Sequence, residues 1–102
     1  MKIISWNIRG CNHSRNIKIL SRKIKQEKPD VLLLQETKCR YETLMRMGNK
    51  IWKGSSILAI DAEGMEGGMM ILWNPGMIEL SKWHANYFSL MAVFKFLGSG
   101  AT

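Results

Sequence analysis

The sequence predicts an α/β fold: a mixed sheet with one or two helices. Three observations carry that expectation. A short apolar run, Lys2 to Asn7, and a second one, Val31 to Leu34, flank a stretch with helical periodicity. Past Gly48 the period changes to that of strands. The later apolar runs are separated by short segments rich in Gly, Asn, Asp and Pro, the residues that make turns.

The elements follow in order. Lys2 to Asn7 reads as a strand, and the polar stretch Asn7 to Ser14, broken by Gly10, as a loop. Ser14 stands where a helix N-cap would accept a free backbone N–H of the first turn. Ile17, Leu20 and Ile24 recur at helical spacing, with Arg15, Lys18, Arg22, Lys23 and Lys25 mostly on the other faces. Pro29 disfavours helical geometry at Lys28 and ends the helix there. Val31-Leu32-Leu33-Leu34 is too short for a helix and is apolar throughout, as in strands covered on both faces. Strand, helical crossover and buried strand make a βαβ unit with both strands in one sheet. Asn7 and Glu36 then stand at the C-terminal ends of those strands, the edge where α/β folds gather ligand-binding residues.

Tyr41, Leu44, Met45 and Met47 suggest a second, shorter helix, closed by Gly48. Strands are expected at 56–60, 68–73, 77–83 and 88–96, extending the sheet as an antiparallel series. The domain is expected over residues 1–96, with 97–102 as a tail. Trp6, Trp73 and the eight methionines are expected in the core.

Composition narrows the function. Length allows one small domain or a piece of a larger one, and 46% apolar with 23% charged residues is ordinary for a globular chain. No apolar run approaches the roughly 18 residues needed to span a bilayer. Arg9 follows the first apolar run too closely for a signal-peptide core, which gives an intracellular expectation, nuclear or cytoplasmic. Cys11 and Cys39 form no CxxC or Cys/His pattern and are expected to be reduced thiols. His13 and His84 have no ligand-like spacing and receive no role. The net charge of +7 is uneven: residues 1–50 hold 12 Lys/Arg against 4 Asp/Glu, and residues 51–102 hold 3 against 4. A basic half suits a polyanion such as nucleic acid, and it equally suits a solvated helix face.

SWNIRG after the first strand, LLLQETK after the first helix and EGMEGGMMILW further on resemble the leading motifs of the endonuclease/exonuclease/phosphatase superfamily. The resemblance runs from about Lys2 to about Phe94 and looks most like the N-terminal part of plant LINE-type retrotransposon endonuclease domains. It implies part of an α/β sandwich and a Mg²⁺-dependent phosphodiesterase, with Mn²⁺ as an alternative cofactor and DNA as substrate. It gives Glu36 the role of metal ligand and places Asn7 beside the same cation and the scissile phosphate. Gln35 is expected to brace Glu36 or the backbone nearby, and Arg9 and Arg15 to touch nucleic-acid backbone. The bare residues also admit plainer roles: a carboxylate favoured at a helix start for Glu36, a turn residue for Asn7, solvated surface for the two arginines.

The family completes its site with a GD-x-N motif and a late SDH motif, and this sequence contains neither. The expectation is therefore a truncated member, inactive alone, with one sheet face left uncovered and open to association. Two other readings stand beside it: a non-catalytic module that binds nucleic acid through its basic half, and a site completed by a second chain.

Overall fold

In the computed structural model, residues 1–10 and 14–98 are described, residue 14 by its backbone alone. β1 (Ile3–Asn7), α1 (Ser14–Glu27) and β2 (Val31–Gln35) form the expected βαβ unit, with β1 and β2 adjacent and parallel. Ile17, Leu20 and Ile24 turn one face of α1 onto the sheet, while Arg15, Lys18, Arg22 and Lys25 lie exposed. The helix stops where Pro29 requires. Lys28 swings to φ +47° and its N–H reaches the Ile24 carbonyl at 2.9 Å. The hydroxyl cap expected at Ser14 lies outside the described atoms.

α2 (Tyr41–Ile51) runs three residues past Gly48, which does not close the helix. That glycine is instead where α2 meets the sheet, for a Cβ on it would stand 2.6 Å from Ile57 Cδ1. β3 (Ser56–Ile60) and β4 (Met69–Trp73) follow, and the sheet order is β1-β2-β4-β3. β4 is antiparallel to both neighbours. The order has a physical cause. Met70 to Trp73 is apolar on both faces and buried, so it takes the centre, whereas every residue of β3 is half-buried and suits an edge.

β5 (Ile78–Ala85) and β6 (Leu90–Phe96) do not extend this sheet, contrary to the antiparallel series expected; they pair into a separate two-stranded sheet. Their alternating pattern gives them one apolar face, and that face packs on the main sheet. Ile78, Leu80, Leu90, Ala92 and Phe94 meet Val31, Leu33, Leu58, Ile71 and Trp73, with the Trp73 and Phe94 rings edge-to-face at 5.3 Å.

The architecture is thus a mixed α/β one with two helices on one sheet face and a hairpin on the other. The helix-side core is the larger: Leu20, Leu32, Leu34, Leu44, Met70 and Leu72 are almost wholly buried. Each such side chain contributes about 1.5–3 kcal/mol. The hairpin leaves the β1 end of its face uncovered, where Ile3 is 59% exposed. Trp6 and Trp73 pack in the core as expected, but Met1, Met77 and Met91 are exposed. Residues 99–102, most of the expected tail, lie outside the described residues.

Candidate functional site

Parallel pairing sets Asn7 opposite Gln35, and antiparallel pairing sets Gln35 opposite Met69. One sheet edge therefore gathers the end of β1, the loop after β2 and the loop before β4. Asn7 and Glu36 meet there: the Asn7 Nδ2 amide donates to Glu36 Oε2. Asn7 Oδ1 in turn accepts the Arg9 N–H at 3.2 Å, which fixes the amide from both ends. The Asn7 side chain is exposed and that of Glu36 half-buried, so the pair opens to solvent.

The loop after β2 is bent tightly. Glu36 has φ +53° and Lys38 φ +54°, left-handed conformations that non-glycine residues adopt at a cost. Two backbone bonds hold the bend, the Gly10 N–H to the Glu36 carbonyl at 2.7 Å and the Lys38 N–H to the Gly67 carbonyl at 2.9 Å. Thr37 between them is fully buried, and its hydroxyl has no hydrogen-bond partner among the described residues. Gly67 and Gly68, both at positive φ, lie directly against Glu36 and Thr37.

Among the described residues, Gln35 makes no hydrogen bond to Glu36. It sits one residue earlier on the strand, and its amide reaches across to Ser5 Oγ on β1 at 3.3 Å, tying the two strands together. Arg9 is exposed two residues from Asn7, and Arg15 is exposed in the first turn of α1. Cys39 is disulfide-bonded, which corrects the expectation of a reduced thiol there. Cys11 and His13 lie outside the described residues, and His84 is an exposed residue of β5.

Asp61 follows β3 and turns the chain, its Oδ1 accepting the N–H groups of Glu63 and Gly64 at 3.1 and 3.3 Å. Beside the site a cleft of about 190 Å³ is lined by Lys38, Cys39, Arg40, Asp61, Ala62 and Glu63. Among the described residues no three His, Cys, Asp or Glu side chains converge on one point. None of the described helices is long and apolar enough to cross a membrane.

Sequence reasoning missed Thr37 and the role of the glycine pair. The only signal was the doubled glycine of EGMEGG, since two adjacent glycines ahead of a strand ask for unusual φ or close approach.

Residues 4–94 match the model of the Endonuclease/Exonuclease/phosphatase family. No curated protein matches the chain. Among solved structures, a functionally unknown conserved protein from Enterococcus faecalis V583 is similar with a TM-score of 0.66 at 16% identity, over 97% of this chain and 48% of that one. The mannosyl-6-phosphatase Bt3783 of Bacteroides thetaiotaomicron VPI-5482 is similar at 0.63 and 14% identity, over 82% of this chain and 35% of that one. The AP endonuclease LMAP from Leishmania major gives 0.58 at 27% identity, over 76% of this chain and 27% of that one. The chain thus spans less than half the length of each of these structures.

Proposed function

The chain belongs to the endonuclease/exonuclease/phosphatase family, and from that membership we propose that Asn7 and Glu36 form the metal- and phosphate-holding edge of a Mg²⁺-dependent phosphodiesterase site. The single observation that carries the reading is the hydrogen bond between the Asn7 amide and the Glu36 carboxylate at the ends of two parallel strands.

The donor chemistry fits a hydrated Mg²⁺, with Mn²⁺ as a substitute. Glu36 offers hard carboxylate oxygens, and Mg²⁺ takes few carboxylates while keeping several waters. When bound, the cation would neutralise charge on the phosphate as it is attacked. Glu36 is the direct ligand in this reading. Asn7 stands beside the same hydrated cation and hydrogen-bonds without adding negative charge, so the phosphate is not repelled. Arg9 and Arg15, both exposed, supply contacts to the nucleic-acid backbone.

We assign DNA as the ancestral substrate, a LINE-type origin on SWNIRG and LLLQETK, and the place of an N-terminal part within a larger domain. The AP endonuclease among the similar structures supports the nucleic-acid reading. The 102 residues contain no GD-x-N and no SDH, so by themselves they hold metal and phosphate without a group to activate water. Losing general-base assistance alone lowers a rate by about 10²–10⁴-fold. A second reading, a non-catalytic nucleic-acid-binding module, is favoured by the exposed basic face of α1.

The test is a Mn²⁺ titration of the purified chain, following backbone amide signals near Asn7 and Glu36, together with plasmid nicking in Mg²⁺. Weak site-specific broadening, absent in Glu36→Gln, is the expected result, with no nicking above background. An unchanged response in Glu36→Gln overturns the site. Robust nicking abolished by Glu36→Ala overturns the inactivity and favours a site completed by a second chain.

A further inference from the structure

We infer that Gly67 and Gly68 are positioning residues for Glu36, holding its carboxylate at Asn7 by direct backbone contact and through the buried Thr37. The inference rests on the reading of Glu36 as metal ligand. A Cβ on Gly67 would stand 3.6 Å from Glu36 Cα and 3.4 Å from Glu36 Cγ, ordinary van der Waals contact, so it is the backbone at φ +76° rather than a clash that asks for glycine there. The Gly67 carbonyl also accepts the Lys38 N–H, and the Glu36 carbonyl is held from the other side by Gly10. The segment Glu36 to Lys38 is thus held at one end by the loop after β1 and at the other by the loop before β4.

Gly68 is the tighter contact. At φ +78°, a Cβ on it would lie 2.5 Å from Thr37 Oγ1, 3.4 Å from Lys38 N and 3.5 Å from Ile60 O. The two backbone neighbours stand at ordinary contact distance. The third belongs to a β-branched side chain that is wholly buried, and such a side chain has few rotamers into which to retreat. A methyl at 68 therefore pushes on Thr37, and Thr37 is the residue joined directly to Glu36.

The same three residues concentrate cost. Glu36 and Lys38 adopt left-handed backbone, and Thr37 buries a hydroxyl with no described partner. Stability alone would favour glycine at the bends and an apolar residue between them. Local disagreement of this kind marks places where the chain serves a site. Gly54 offers a contrast within the same molecule: it has φ +86°, but a Cβ there meets nothing within 4 Å.

The experiment compares the Mn²⁺ midpoint, read from broadening of the Asn7 and Glu36 amide signals, in the wild-type chain and five variants. Gly68→Ala should raise the midpoint at least about tenfold, the usual effect of disturbing a residue that orients a ligand. Gly54→Ala, which places alanine at a similar φ, should leave it unchanged. Thr37→Ala/Gly68→Ala, in which the 2.5 Å neighbour is gone, should move the midpoint back toward that of Thr37→Ala. Wild-type binding by Gly68→Ala overturns the inference, as does a double variant that fails to recover. Should Gly68→Ala not fold, the double variant decides: folded and binding supports the role, unfolded or non-binding overturns it. Glu36→Gln separates the two levels. If it binds Mn²⁺ normally, the ligand reading fails and the inference with it; if it loses binding while Gly68→Ala does not, the ligand reading stands and only the positioning role falls.

Discussion

Thr37 shows how much one residue can depend on context. In LLLQETK it reads as a polar residue leaving a strand, yet it is as buried as Leu32 or Leu34. A hydroxyl buried without a partner costs about 1–3 kcal/mol. Thr37→Val keeps the shape and removes the oxygen, so it should raise stability by about 1 kcal/mol in urea unfolding. A loss of stability would show that the hydroxyl is satisfied. Asn7 and Glu36 were legible because strand ends can be read from the pattern of apolar runs. Gln35 was not, since the choice between bracing Glu36 and reaching Ser5 depends on which strand lies alongside.

Among the elements, α2 and the order of the strands carry the lesson. A glycine in a helical pattern suggests an end, and exposed glycine-to-alanine changes inside helices gain about 1 kcal/mol. Gly48 is neither an end nor exposed, because α2 approaches β3 and β4 across it. Gly48→Val should therefore destabilise the protein by about 1–3 kcal/mol, measured by thermal or urea unfolding, as its methyls press on Ile57 and Leu72. Stability equal to wild type would show that the two side chains swing aside freely. The βαβ unit was legible from Pro29 and the VLLL run. The separate hairpin was not, because alternating strands look alike whether they join a sheet by its edge or lie across its face.

Over the whole molecule, charge and apolar surface act on different sides. The exposed cations of α1, Arg15, Lys18, Arg22 and Lys25, lie on the helix layer. If this face carries nucleic-acid binding, DNA retention in gels should fall steeply with salt. Lys18→Gln/Arg22→Gln should then flatten the plot of log affinity against log salt by about two units. An unchanged slope would remove α1 from the interface. On the opposite side, Ile3 on the uncovered part of the sheet is 59% exposed, and Trp83 of the hairpin is 49% exposed. We expect concentration-dependent association through this surface, seen by sedimentation equilibrium and reduced in Ile3→Lys without loss of thermal stability. Equal association in the variant would place the contact elsewhere.

The sequence by itself determined the βαβ start, the end of α1 ahead of Pro29, the six strands and the meeting edge of Asn7 and Glu36. Each of these follows from local rules: apolar periodicity, a proline's restriction on its neighbour, and the parallel crossover that brings two strand ends together. Only the tertiary structure decided that β4 enters between β2 and β3, that β5 and β6 form a second layer, and that Gly67 and Gly68 close on Glu36 and Thr37. Those outcomes depend on long-range packing. A strand takes the centre when both its faces find cover, and a glycine becomes indispensable when a distant loop leaves no space for a methyl group. Neither condition is written in the residues adjacent to it along the chain.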